Sequence, residues 1–80
     1  MNFNDLNIFI NIYETGYLNQ SAVNLGYAQS NLTARLKNLE SEMCTRLFIR
    51  KYNGIVPTRS GDKLYHFANE TLQNLEITQK

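Results

Sequence analysis

The sequence predicts a mainly α-helical fold, with a core of three helices, a small two-stranded hairpin and a long final helix. Apolar residues recur at helical spacing in four stretches of the 80-residue chain. An Asn-Gly pair between the third and fourth stretches separates two short β-rich runs, which is a strong hairpin signal. The composition, 42% hydrophobic and 19% charged, is typical of one small globular domain.

The first helix is predicted over about residues 5–14. Its apolar residues between Leu6 and Tyr13 follow the i, i+3, i+4, i+7 spacing of a buried face. Asn4 is the expected N-cap, because its side chain can accept a hydrogen bond from a first-turn amide. Gly16 is the expected end, because glycine takes a left-handed backbone conformation without steric cost.

A short second helix is predicted over about residues 20–25, with Asn19 as its cap. Ala22 offers a small side chain where another helix must approach closely. Gly26 follows the last apolar residue and is expected to form a left-handed bend. The two features together predict a tight turn into the next helix.

The third helix is predicted over about residues 29–43. Ala28 occupies its N-cap position, and alanine cannot accept a hydrogen bond from the first amides. Those amides are left for another acceptor, of which a phosphate is one candidate. Its buried stripe is predicted to consist of Leu32, Leu36, Leu39 and Met43.

The hairpin and the last helix complete the domain. Strands are predicted over about residues 48–50 and 55–56, and Pro57 is expected to close an edge strand because it lacks an amide proton. Thr58 is the expected cap of the fourth helix. The apolar face of that helix is predicted to join two copies of the chain through Leu64, Phe67, Ala68, Leu72 and Leu75.

This order of elements describes a winged helix-turn-helix, in which the second helix of the pair lies in the major groove of DNA. The free side of the third helix carries amide, hydroxyl and guanidinium groups, which can pair with base edges. An ordinary helical hairpin with a polar outer face is the alternative. The predicted base-reading set is Gln29, Ser30, Asn31, Thr33 and Arg35.

The charge distribution indicates where a polyanion would bind. The net charge is only +1, but residues 1–34 contain no Lys or Arg, whereas residues 35–63 contain seven basic and three acidic residues. On charge alone, a solvated polar surface explains this block equally well. Arg50 and Lys51 beside the hairpin turn favour DNA, and Lys37 and Lys51 are expected to meet phosphate groups.

Other classes of function receive little support from the sequence. Cys44 is the only cysteine and His66 the only histidine, so neither a disulfide framework nor a nucleophilic pair is indicated. Glu40 is expected to make a structural pair or to orient a basic neighbour rather than to act in catalysis. We expect no catalysis, metal or cofactor. The absence of a membrane-length apolar run or a basic N-terminal leader predicts a cytoplasmic protein.

The stretch "YLNQSAVNLGYAQSNLTARLKNLESEMCTRLFIRKYNGIVPTRSG" resembles the DNA-binding domain of the LysR-type transcriptional regulators, and "LNIFINIYETG" resembles their first helix. The resemblance covers essentially the whole chain. It places base and phosphate contacts on Gln29, Ser30, Asn31, Thr33, Arg35 and Arg50. The sequence departs from the family pattern at Tyr17, Ser21, Ala28, Cys44 and Pro57.

The resemblance implies a bacterial transcription regulator that binds double-stranded DNA. Residues 1–60 would form the winged helix-turn-helix domain, and residues 61–80 the linker helix that pairs in a homodimer. Full-length members usually form tetramers and bind a small-molecule effector through a C-terminal domain, which is absent from this chain. The expected target is an inverted-repeat operator. The alternative is a protein-interaction or dimerisation module that uses the same fold without DNA.

Overall fold

The structure, a computed structural model, describes residues 2–52 and 54–79, with side chains described as far as residue 71. The elements follow the predicted order of three helices, a hairpin and a long helix. This arrangement confirms the predicted winged helix-turn-helix fold. The elements are α1 (Phe3–Thr15), α2 (Leu18–Leu25), α3 (Gln29–Met43), β1 (Phe48–Lys51), β2 (Gly54–Pro57) and α4 (Arg59–Gln79).

Helix α1 begins two residues earlier than predicted, and its cap is Asn2 rather than Asn4. The Asn2 side chain accepts a hydrogen bond from the amide of Asp5 at 2.8 Å, and the Asp5 carboxylate accepts one from the amide of Asn2 at 3.5 Å. This reciprocal capping box satisfies two first-turn donors. The Asn4 side chain instead donates to the hydroxyl of Tyr27 at 3.4 Å. The predicted end is confirmed, with Gly16 at φ 76°.

Helix α2 also begins two residues before its predicted start, and the expected Asn19 cap is wrong. Leu18 is buried and belongs to the first turn, so the helix starts early enough to bring that side chain into the core. The hydroxyl of Thr15 organises the entry by accepting from the Tyr17 amide at 3.3 Å and lying 2.7 Å from the Ser21 hydroxyl. The bend at Gly26 is confirmed, with φ 74°.

The core lies where α1, α2, α3 and the hairpin meet, and its largest fully buried apolar side chains are Phe9, Ile12, Leu32 and Leu47. The bounds predicted for α3 are confirmed, as is the buried position of its three leucines. The inclusion of Met43 in that stripe is wrong, because its side chain is 38% exposed. The helix ends at this residue, and Cys44 reverses the chain with a left-handed backbone at φ 56°.

The strands pair antiparallel, with Phe48 opposite Pro57 and Lys51 opposite Gly54. Each strand is longer than predicted, and Asn53 of the predicted turn lies outside the described residues. Because successive side chains of a strand point to opposite faces, Phe48 and Ile55 lie in the core, whereas Ile49 and Val56 lie on the outer face of the hairpin. The hairpin therefore packs against the helices through one face only.

Helix α4 is capped by Thr58 as predicted, since the Thr58 hydroxyl oxygen accepts from the Gly61 amide at 3.1 Å. Leu64 and Ala68 are 7% and 0% exposed, so they pack into the domain's own core. The prediction that these two residues form a dimer face is therefore corrected. Phe67 is 61% exposed. The side chains predicted to complete the face, Leu72 and Leu75, lie outside the described part of the chain.

Within the described ranges, none of the helices combines the length and apolarity that crossing a membrane requires.

Candidate nucleic-acid interface

The first half of α3 exposes its polar side to solvent. Its leucines face the core, and this orientation turns the polar residues between them outward. Gln29, Ser30, Asn31 and Lys37 are exposed, while Thr33 and Arg35 are half-buried at the two edges of the helix. Most of the predicted base-reading set is therefore accessible to a large ligand.

A cleft of about 390 Å³ opens between the starts of α2 and α3 and the hairpin. Arg50 and Lys51 form its hairpin side, and Gln29 borders it from α3. Among its described lining residues there is no carboxylate, so the two cations give it a positive character. The structure thus joins predicted residues from α3 and the hairpin around one concave surface. Its lining is Tyr17, Leu18, Asn19, Gln29, Arg50, Lys51, Tyr52, Gly54 and Ile55.

Tyr17 and Asn19 are among the lining residues of this cleft that were not predicted contacts. Both come from the start of α2, which the sequence had placed too late. Tyr52, directly after β1, is fully exposed beside the cations. In the sequence, Tyr17 was distinguished only by its departure from the residue pattern of the LysR-type family.

The hairpin is fixed to the body through the turn between α1 and α2. The Ile55 amide donates to the carbonyl of Gly16 at 2.9 Å. Gly54 lies so close that an added Cβ would be 2.6 Å from the same carbonyl oxygen and 3.0 Å from the ring of Tyr17. The position of Arg50 and Lys51 relative to α3 therefore depends on a contact that only glycine permits.

A second connection joins α3 to the hairpin. The Glu40 carboxylate accepts hydrogen bonds from the amides of Leu47 at 2.6 Å and Phe48 at 3.2 Å. Since one carboxylate oxygen holds two successive amides, the start of β1 is bound to the C-terminal half of α3. The structural role expected for Glu40 is confirmed, with backbone amides as its partners.

Arg35 lies on the side of α3 that faces α1. Its guanidinium is 3.7 Å from the carboxylate of Asp5 and stands over the ring of Tyr27, 5.4 Å from the ring centroid. Thr33 and Lys37, by contrast, border the hairpin together with Arg50. The structure therefore separates Arg35 from the predicted contacts that gather at the cleft.

The hydroxyl of Thr33 donates to the carbonyl of Gln29 at 3.0 Å. Its proton is thereby committed to the backbone, and the oxygen remains available as an acceptor. A base edge that meets Thr33 would have to offer a donor, which in the major groove means the amino group of adenine or cytosine.

The helix starts differ in how their first amides are satisfied. Asn2 caps α1 and Thr58 caps α4 through side-chain oxygens. At α2 and α3, whose cap positions hold Tyr17 and Ala28, no described side chain accepts from the first amides. The first-turn amides of α2 and α3, the predicted helix-turn-helix pair, therefore have no side-chain acceptor among the described residues.

A domain with this fold and an outward polar helix beside a basic hairpin is a DNA-binding winged helix-turn-helix domain. Residues 3–62 match the family model described as "Bacterial regulatory helix-turn-helix protein, lysR family". The chain belongs to this LysR family of bacterial regulators, and it is a DNA-binding domain of a transcriptional regulator.

Curated relatives agree with this placement. The chain is 40% identical over 76 residues to the HTH-type transcriptional regulator CzcR of Bacillus cereus, a match that covers 95% of this chain and 26% of CzcR. It is 38% identical over 80 residues to the uncharacterized regulator YusT of Bacillus subtilis, with 100% and 27% covered. The chain thus spans about a quarter of the length of these relatives.

Solved structures with the same fold include DNA complexes. A BenM DNA-binding domain in complex with catB site 1 DNA superposes with a TM-score of 0.89 at 27% identity, covering 98% of this chain and 87% of that one. A CbnR DNA-binding domain in complex with DNA superposes with a TM-score of 0.88 at 26% identity, covering 99% and 91%.

Proposed function

We propose that the domain reads one half of an inverted-repeat operator, with α3 in the major groove and the hairpin on the flanking backbone. The observation that carries this proposal is the cleft, which combines the start of α3 with Arg50 and Lys51 and has no carboxylate among its described lining residues. Phosphate contacts supply affinity, whereas side chains at base edges supply sequence preference.

The residues divide by the chemistry they offer. Gln29, Ser30, Asn31 and Thr33 present amide and hydroxyl groups to base edges, and Thr33 selects a base donor. Lys37, Arg50 and Lys51 hold phosphates. Arg35 approaches the DNA from the α1 side of α3, where its ion pair with Asp5 limits its reach.

The domain acts as part of a homodimer joined by α4, with Phe67, Leu72 and Leu75 at the contact. Residues 1–60 form the reading unit, and residues 61–80 form the linker helix. The relatives are about four times longer than this chain. By analogy with the LysR-type regulators, we infer a whole regulator that carries an effector-binding domain after this one and forms a tetramer. Its site of action is the bacterial cytoplasm, and its role is binding without catalysis.

The direct test is fluorescence anisotropy with duplex DNA selected from a random pool, at 50 and 200 mM salt. With about three phosphate contacts per protomer, a slope of about −2.7 in log K against log salt gives about 40-fold weaker half-site binding at the higher salt. Weak binding that ignores salt would contradict the proposal and favour a protein-interaction module.

A second test separates the roles of the cations. Arg35→Ala should loosen sequence preference, whereas Lys51→Ala should weaken binding to all sequences alike. Lys63→Ala is the matched control, since it removes a charge from an exposed site outside the cleft. The affinity of each variant is measured for selected and for scrambled duplexes, and the ratio of the two affinities reports its sequence preference. An identical loss for Arg35→Ala and Lys51→Ala would reject these assignments.

A further inference from the structure

Two tyrosines join α1 to α4 on a part of the domain away from the cleft. The rings of Tyr13 and Tyr65 are stacked, with centroids 3.8 Å apart and planes 6° from parallel. Neither residue lines the cleft. The proposed DNA contact at the cleft therefore does not account for the pair.

Each hydroxyl of this pair crosses to the opposite helix. Tyr13 of α1 donates to the carboxylate of Asp62 on α4 at 2.7 Å, and Tyr65 of α4 donates to the carboxylate of Glu14 on α1 at 2.8 Å. We call these four residues, Tyr13, Glu14, Asp62 and Tyr65, the tyrosine clasp. The reciprocal bonds fix both the separation and the rotation of the two helices.

The rest of the contact is less specific. Leu64 and Ala68 anchor α4 in the core through aliphatic packing, which is non-directional and permits small rotations more readily than a hydrogen-bonded stack does. The hydrogen bonds and the ring stack of the tyrosine clasp supply the directional part of the contact between α1 and α4. Asp62 and Tyr65 lie in the first two turns of α4, ahead of the longer remaining part of the helix.

The length of α4 amplifies any change at the clasp. From Tyr65 to Leu75, the last residue of the proposed dimer contact, the axis extends about 15 Å, so a tilt of about 10° moves that point by about 3 Å. One base-pair step along DNA is about 3.4 Å. A modest change of angle is therefore comparable with one base pair of half-site separation.

We propose that the tyrosine clasp sets the angle between α4 and the reading unit and thereby selects the spacing of the two half-sites. This inference rests on the proposed dimeric reading of an inverted repeat. The clasp residues are positioning residues, because they act through α4 and touch no base. Their loss should change which spacing is preferred while leaving the binding of one half-site intact.

The experiment uses a selected half-site in two formats. One duplex carries a single half-site, and a library carries two inverted copies with every spacer from about 0 to about 12 base pairs, which spans one helical turn. Binding of the unaltered chain is compared with that of Tyr65→Ala, which removes the stack, and of Tyr13→Phe/Tyr65→Phe, which removes both cross-helix hydrogen bonds. Asn69→Ala, at an exposed position of α4, is the matched control.

The unaltered chain and Asn69→Ala should favour a narrow range of spacers. The clasp variants should lose that preference or shift it, with unchanged affinity for the single half-site. If Tyr65→Ala unfolds, the spacer profile of Tyr13→Phe/Tyr65→Phe alone tests the inference. An unaltered spacer profile in a folded clasp variant, or no spacer preference in the unaltered chain, would overturn the inference. Failure of every protein to bind the single half-site would instead refute the proposed function.

Discussion

At Gly54 the hairpin lies against the turn between α1 and α2. A Cβ at this position would lie 2.6 Å from the carbonyl oxygen of Gly16, and the backbone has φ 134°. Both the contact and the conformation exclude other residues. Since Arg50 and Lys51 lie on the strand opposite, this glycine determines how near the cations come to α3.

Gly54→Ala should therefore weaken DNA binding as well as stability. The strained backbone alone costs on the order of 1–3 kcal/mol, and relief of the clash moves the hairpin away from the body. Gly26→Ala is the matched control, because its φ is also positive but nothing lies within 4 Å of the added Cβ. Urea denaturation and anisotropy, both on folded protein, measure the two effects. An affinity for DNA that Gly54→Ala leaves unchanged in the folded protein would show that the hairpin position is unimportant.

Glu40 links two elements, α3 and β1, through two backbone amides. Glu40→Ala leaves both donors without their acceptor and should lower the free energy of unfolding by about 1–3 kcal/mol. Glu40→Gln keeps an acceptor oxygen and should cost less, because a neutral acceptor bonds more weakly than a carboxylate but still bonds. Urea denaturation of both variants gives the comparison. Two equal and negligible losses would contradict this assignment.

The contact between α1 and α4 predicts a loss of stability in alkali. Hydrogen bonds to Asp62 and Glu14 raise the pKa of Tyr13 and of Tyr65 above the ordinary value of 10.0, and desolvation adds to both shifts. A group whose pKa is raised by folding stabilises the folded state below its unfolded pKa. That contribution is lost as the pH rises through the folded pKa.

The free energy of unfolding should therefore fall above about pH 10, and it should fall less in Tyr13→Phe/Tyr65→Phe, which has no hydroxyl to ionise at either position. Urea titrations at about pH 9 and about pH 11 measure the difference. The same alkaline loss in the double variant would show that the two tyrosines do not carry the effect.

At the scale of elements, periodicity predicted more than capping did. The bounds of α3 follow from its leucine stripe and were predicted correctly. Asn2 and Asn4 both carry a capping side chain, but only Asn2 is followed three residues later by an acidic residue, Asp5, which completes the capping box. The apolar face of α4, by contrast, could not reveal whether its own core or a partner covers Leu64 and Ala68.

The candidate interface was predictable in its residue types but only partly in its geometry. Polar side chains opposite a leucine stripe must face outward, so the exposure of Gln29, Ser30 and Asn31 followed from the pattern. Arg35 forms an ion pair with Asp5 and stands over the ring of Tyr27, and its pairing with Asp5 depends on how α1 packs across α3. No local pattern in α3 contains that information.

At the scale of the whole domain, the charges at the cleft differ in sign from those of the clasp. The cleft gathers Arg50 and Lys51, while the clasp between α1 and α4 carries the carboxylates of Glu14 and Asp62. In the proposed complex, the phosphates of the DNA are attracted to the cations of the cleft. The small net charge of +1 conceals this asymmetry.

The most direct measurement is the change in backbone amide NMR shifts of the chain when a selected duplex is added. We expect the largest changes in the first half of α3 and in β1, at Gln29, Thr33 and Arg50, with small changes at Tyr13 and Tyr65. Changes concentrated on the α1–α4 side, with α3 and the hairpin unaffected, would contradict the proposed interface.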